Sequence, residues 1–149
     1  MKPQNIFRNC GALALFLAVS MDAAGAYADV VVVVSAKSSV TSLTTEQTAR
    51  IFLGKTDTFP NDGNAVPVDQ AEGSAIRDEF YSKVAHKNSS QLKAYWAKVI
   101  FTGDGQPPKL LGSDMAVRKA VANNPNAIGY IDISAVDSSV RVILTPKAK

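Results

Sequence analysis

Residues Val30 to Val34 are five valines in a row. A β-branched side chain has restricted χ1 freedom and packs well on a pleated surface, so the run predicts a β-strand. It shows no polar alternation, so neither face of that strand is meant for water. A strand covered on both faces belongs inside a layered α/β sheet, and the rest of the chain must then supply helices to cover it.

The downstream pattern supplies them. Lys37 to Ser42 is a polar loop, after which Thr44 and Gln47 have capping-box spacing and open a helix through Arg50-Ile51-Phe52-Leu53, with Gly54 as its stop. Pro60, Asp62 and Gly63 mark a surface turn, and Ala65 to Asp69 is a short strand. A second helix, from about Ser74 to Ala85, stacks Ile76, Phe80 and Val84 at four-residue steps. A third places Leu92, Tyr95, Trp96, Val99 and Ile100 on one apolar stripe, with Asn88 and Gln91 at capping-box-like spacing at its start. Thr102 to Pro108 is a turn region. A fourth helix starts at Ser113, buries Val117, Ala120 and Val121, and stops at Asn123-Asn124-Pro125. Ala127 to Ile133 and Val140 to Thr145 read as closing strands. There is no internal repeat or low-complexity tract. The expected fold is α/β, a mixed sheet flanked by helices, as a single domain over residues 29–149.

Residues 1–28 are expected to lie outside that domain. Lys2 and Arg8 make a positive start, Gly11 to Val19 is apolar and uncharged, and Ala26-Tyr27-Ala28 is an A-x-A cleavage site. This is the layout of a cleavable secretory signal, and its apolar part is short for a membrane span, the rival reading being an anchor. Arg8-Asn9 before Cys10 do not fit a lipoprotein signal. The chain has one cysteine, and it falls in the leader, so the mature chain has neither a disulfide nor a cysteine metal site. Its stability must come from a core. Lys+Arg 16 against Asp+Glu 13 leaves a small basic excess, and two of those cations belong to the leader. Such a balance gives no reason to expect a nucleic-acid partner.

Chemistry is expected where Val66-Pro67-Val68-Asp69 ends and Gln70-Ala71-Glu72-Gly73-Ser74-Ala75-Ile76-Arg77 begins. A helix start presents unpaired N–H groups and partial positive charge, which favour an anion. Gly73 permits close approach, Ser74 offers a hydroxyl, and Arg77 offers a charged fork. The alternative is an ordinary N-cap at Ser74 and an ion-paired or surface Arg77. The loop after the first strand, Ser35-Ala36-Lys37-Ser38-Ser39, is a second candidate, because ligands of open α/β sheets gather at the carboxyl ends of strands. It is otherwise a solvated turn. His86 is the sole histidine and sits at a helix end, where it reads as exposed and inert. Asp69, Glu72, Asp78 and Glu79 read as charges around a helix start rather than a metal site. Trp96 and Tyr95 read as packing residues. No nucleophile–base pair can be assembled, so the chain is expected not to be an enzyme and to need no cofactor or metal.

Several phrases together resemble the periplasmic substrate-binding protein of phosphate ABC transporters. They are Leu43-Thr44-Thr45-Glu46-Gln47 leading to Ile51-Phe52-Leu53-Gly54-Lys55, Gly73-Ser74 followed by Phe80, Trp96 with Phe101-Thr102-Gly103, and Ala127-Ile128-Gly129-Tyr130-Ile131. The resemblance covers residues 30–144. It implies a binding-protein-like lobe, a periplasmic address and a small oxyanion, possibly phosphate, as ligand. Where phosphate-binding members carry R-S-D-G-S-G-T, this chain has Gln70-Ala71-Glu72-Gly73-Ser74-Ala75-Ile76, keeping Gly73 and Ser74 unchanged. Glu72 can still accept a proton-bearing phosphate oxygen, whereas Ile76 brings no hydroxyl and Gln70 no charge. With the helix-start argument, the expected ligand contacts are Gly73, Ser74, Arg77 and Glu72, and the loop after the first strand offers Ser38 and Ser39. Two-lobed members close on ligand between lobes, and removing residues 1–28 from 149 leaves 121, enough for about one lobe. A membrane transporter or a second protein chain is the implied partner. The rival function is a protein-interaction module of the cell envelope that keeps the fold and has lost the ligand.

Overall fold

The computed structural model describes residues 29–148; the expected leader, its cleavage site and Cys10 lie outside the described residues. The valine run forms β1 (Val30–Ser35), with all six residues buried. Its side chains divide by parity. Val30, Val32 and Val34 enter one apolar cluster, and Val31 and Val33 enter the other. A period of two sends successive side chains to opposite faces, so one strand anchors two cores.

The first core lies under α1 (Thr45–Phe52), α2 (Ala75–Ala85) and α3 (Ser89–Thr102). Phe52, Phe80 and Tyr81 are its largest fully buried helical side chains, and Trp96 packs with them at 6% exposure. The second lies under α4 (Asp114–Ala122), which buries Val117 and Val121 against Val31, Val33 and Val68. Gly129 makes that approach possible, because a Cβ there would sit 2.5 Å from Val117 Cγ1 and 3.1 Å from Val121 Cγ2.

The remaining strands are β2 (Val66–Gln70), β3 (Lys109–Leu111), β4 (Ala127–Asp132) and β5 (Val140–Leu144), in the order β3-β2-β4-β1-β5. The strands β3, β2 and β4 are parallel, whereas β1 runs antiparallel to both β4 and β5. The mixed α/β sheet flanked by helices therefore stands as expected. β3 is an addition: it follows the Pro107-Pro108 pair, is three residues long, and carries no periodicity that could announce it.

Both predicted capping boxes form. Thr44 and Gln47 exchange side-chain–backbone bonds at 3.1 and 2.9 Å, and Asn88 and Gln91 do so at 2.9 Å each. The apolar stripe of α3 is narrower than expected. Leu92 and Trp96 are buried, but Ile100 is 55% exposed and its neighbour Phe101 is 91% exposed. No helix among the described residues is long and apolar enough to cross a membrane.

Candidate functional site

The parallel strands β2, β3 and β4 end together, and α2 begins at that edge through the loop Ala71 to Ser74. Gly73 adopts φ +80°, and nothing within 4 Å would meet a Cβ there, so the loop presents bare backbone outward. Ser74 occupies the N-cap with extended backbone, but its side chain makes no capping bond. Its Oγ is buried without a partner. The amides of Ala75, Ile76 and Arg77 have no acceptor among the described residues. The heads of α1, α3 and α4 are each closed by a side chain, from Thr44, Asn88 and Ser113 respectively.

Beneath this head lies a buried polar knot that the sequence reading misjudged. Asp69, expected among the charges around a helix start, is fully buried. Tyr81 Oη donates to its Oδ2 at 2.8 Å, Tyr130 Oη donates to Oδ1, and the Gln70 amide donates to Oδ1 at 2.9 Å. Arg77 Nε lies 3.4 Å from the same carboxylate. Burial, reinforced by the charge and hydrogen bonds of Asp69, raises the Tyr81 and Tyr130 phenols well above their ordinary value and keeps them as donors. The Tyr130 ring stacks on Phe80 at 3.9 Å, which ties the knot to the apolar core. Gln70 Nε2 donates to Asp114 Oδ1 at 2.6 Å and to the Tyr130 carbonyl at 3.0 Å, joining the ends of β2 and β4 to the start of α4. A clue was present in the sequence. Arg77 shares the helix face of Phe80, Tyr81 and Val84, and a cation on a buried face requires a buried partner.

The expected ligand residues are therefore split into three places. Gly73 and Ser74 form the α2 head. Arg77 is 6% exposed and its Nε is held by Asp69, so it is not a free counter-charge at the head; the reading of Arg77 as counter-charge there is corrected on that ground. Glu72 and Arg77 instead line a hollow of about 300 Å³ between the α2 start, α3 and the approach to β3.

Ser38 and Ser39 sit elsewhere. Val34 pairs with Ile128 in antiparallel sense, and Val66 pairs with Ala127 in parallel, so the end of β1 and the start of β2 lie at the same edge of the sheet, on either side of β4. The Ser38 loop thus emerges at the opposite end of the sheet from Ser74. It is also self-satisfied. Ser38 Oγ accepts from the Val40 amide, Ser39 Oγ accepts from Asn61 Nδ2 at 3.0 Å, and Arg141 gathers the Ala36, Ser38 and Val40 carbonyls. Ser38 and Ser39 are therefore corrected as contacts shared with the α2 head, because β1 runs antiparallel to β4 and its carboxyl end lies at the other edge.

His86 is exposed at the C-cap of α2 in the left-handed region, φ 53°, as its place at a helix end suggested. Asp78 is exposed, and Glu79 pairs with Lys83 one turn on. Trp96 and Tyr95 pack against the C-terminal end of α1. The Trp96 ring abuts Gly54, and Tyr95 Oη donates to the Leu53 carbonyl at 2.6 Å.

Comparison with solved structures finds the same architecture. A protein described as a phosphate ABC transporter substrate-binding protein with bound phosphate, from Clostridium perfringens, matches 77% of this chain at 25% identity and a TM-score of 0.62. An ABC-type phosphate transport receptor from Vibrio cholerae matches 81% of it, also at 25% identity and a TM-score of 0.62. PstS from Borrelia burgdorferi shares the fold over 77% of the chain, at 14% identity and a TM-score of 0.59. The match spans 44%, 47% and 46% of those three proteins respectively, so this chain corresponds to less than half of each. No protein-family model matches the chain, and the search of curated proteins finds no match. The chain is thus similar in structure to substrate-binding proteins of phosphate ABC transporters, over about four-fifths of its own length.

Proposed function

We propose that this chain is a non-catalytic, exported solute-binding-type domain that recognises a small oxyanion, phosphate first among them, at the head of α2. The observation that carries the reading is the open helix start. The amides of Ala75, Ile76 and Arg77 lack acceptors beside an exposed Gly73 and an unpartnered Ser74 hydroxyl. Those donors and the helix dipole together suit an anion. Glu72, exposed beside Gly73, accepts a hydrogen bond from a protonated oxyanion oxygen. The structural likeness to phosphate receptors supports the same ligand class, and the Lys2-to-Ala28 pattern supports export to the periplasm. A transporter or a second chain supplies the other wall of the site.

The geometry also limits the affinity. Arg77 is tied to Asp69 through Nε and lines the adjoining hollow, so the head has no free counter-charge of its own, and a one-sided site leaves the anion in contact with water. An attraction of about 1 kcal/mol per contact in water gives binding near the millimolar range, about −4 kcal/mol in total. Calorimetry of the purified protein with inorganic phosphate is the test. Saturable heat that weakens on Ser74→Ala supports the reading, and no heat at millimolar phosphate removes phosphate as its ligand.

One observation favours the interaction-module reading. Phe101, 91% exposed, and Ile100, 55% exposed, end α3 as an apolar tip that nothing among the described residues covers. A stoichiometric complex lost on Phe101→Ser and kept on Ser74→Ala would favour that function over solute recognition.

A further inference from the structure

The hollow beside the α2 start has a composition that the oxyanion reading leaves unused. It has a volume of about 300 Å³, at the small end of the range for ligand sites. Its walls are mostly apolar: Leu92, Trp96 and Ile100 from α3, with Leu110 from β3. Trp96 is 6% exposed, and its indole N–H is buried without an acceptor. Two cations also line the space, Arg77 from α2 and Lys93 from α3.

Arg77 is the decisive group. Asp69 engages its Nε, and Tyr81 lies under the guanidinium at 5.3 Å to the ring centroid. The two terminal nitrogens have no hydrogen-bond partner among the described residues and are not among its buried unpartnered atoms, so they remain open to a ligand. A guanidinium presents donors along two edges, so one carboxylate can hold Nε while the outer fork takes another acceptor. Glu72 is the single acidic residue lining the space; it is exposed, and its charge is solvated.

We propose that this hollow is a second binding site, taking a small monocarboxylate with an apolar body. The carboxylate pairs with the outer fork of Arg77 and with Lys93. The apolar body lies against Leu92, Trp96, Ile100 and Leu110. Inorganic phosphate fits the α2 head but not this place, because it would leave the apolar walls wet. A neutral apolar molecule would leave the fork of Arg77 without an acceptor.

Trp96 is the chain's single tryptophan, so its fluorescence reports on this wall. Phenylacetate is the probe, phenylacetamide its uncharged counterpart, and inorganic phosphate the control for the α2 head. The site predicts a saturable change in indole emission with phenylacetate, at least about tenfold weaker with phenylacetamide, and none with phosphate. Lys93→Gln and Leu110→Asn change exposed side chains, and each should weaken phenylacetate binding by about fivefold or more. Glu72→Gln should tighten it. The proposal is overturned by no emission change at tens of millimolar phenylacetate, by an equal response to the amide, or by affinity that neither Lys93→Gln nor Leu110→Asn alters. Failure here leaves phosphate binding at Ser74 untouched, and failure there leaves this site untouched.

Discussion

The head of α2 differs from the heads of α1, α3 and α4 in its cap. Thr44, Asn88 and Ser113 each turn a side-chain oxygen onto an amide of the first turn, whereas Ser74 does not. A closed head satisfies its own donors, so it gains stability and offers nothing to a ligand. An open head forgoes that bond. The open one here lies at the carboxyl edge of the parallel strands, above the buried Asp69 knot, so the least self-satisfied helix start rests on the most heavily bonded support. The contrast teaches where recognition is placed: rigid polar packing below, free donors above.

The largest expected effect removes the support. Asp69→Ala strands the Arg77 cation and takes the acceptor from two buried phenols. It should cost about 3–5 kcal/mol in urea unfolding. A loss near that of an exposed substitution would mean that the knot does not hold the α2 head in place.

Exchanging the caps comes next. Thr44→Ala, Asn88→Ala and Ser113→Ala should each destabilise by about 1 kcal/mol, while Ser74→Ala should change stability by less than about 0.5 kcal/mol. Ser74→Asp should close the open head, raise stability by about 0.5–1 kcal/mol and abolish phosphate binding. Equal costs at all four caps would erase the distinction on which the function rests. Gly73→Ala tests the loop itself. Because its φ is +80° with open space around the Cβ, the expected cost of about 1 kcal/mol is pure backbone strain.

How far the sequence revealed this contrast depends on the range of the signal. Capping boxes are local, and both Thr44–Gln47 and Asn88–Gln91 formed as their spacing predicted. The five valines declared a doubly covered strand by composition alone. Strand direction has no such local mark. Val30 to Val34 would read the same in either sense, and the antiparallel choice carried Ser38 and Ser39 to the far end of the sheet. Asp69 was hidden for a related reason, since its partners lie at residues 77, 81 and 130, across two elements. The exposure of Ile100 follows from α3 packing through Leu92 and Trp96, which no periodicity within α3 specifies.

The smallest expected effect is on alkaline stability. The Tyr81 and Tyr130 phenols titrate well above the unfolded value of 10.0, mainly because burial disfavours the phenolate. Their contribution is complete below about pH 10 and is lost as pH rises beyond it, since the unfolded chain then releases protons that the folded chain retains. Circular dichroism across alkaline pH should show wild-type stability falling with a steeper slope than that of Tyr81→Phe.

The most direct measurement follows the backbone amides by nuclear magnetic resonance during a titration with inorganic phosphate. An open, anion-receiving α2 head predicts saturable shifts concentrated at Gly73 to Arg77, with the first turns of α1, α3 and α4 unmoved. Shifts absent from Gly73 to Arg77, or spread equally over all four helix starts, would contradict it.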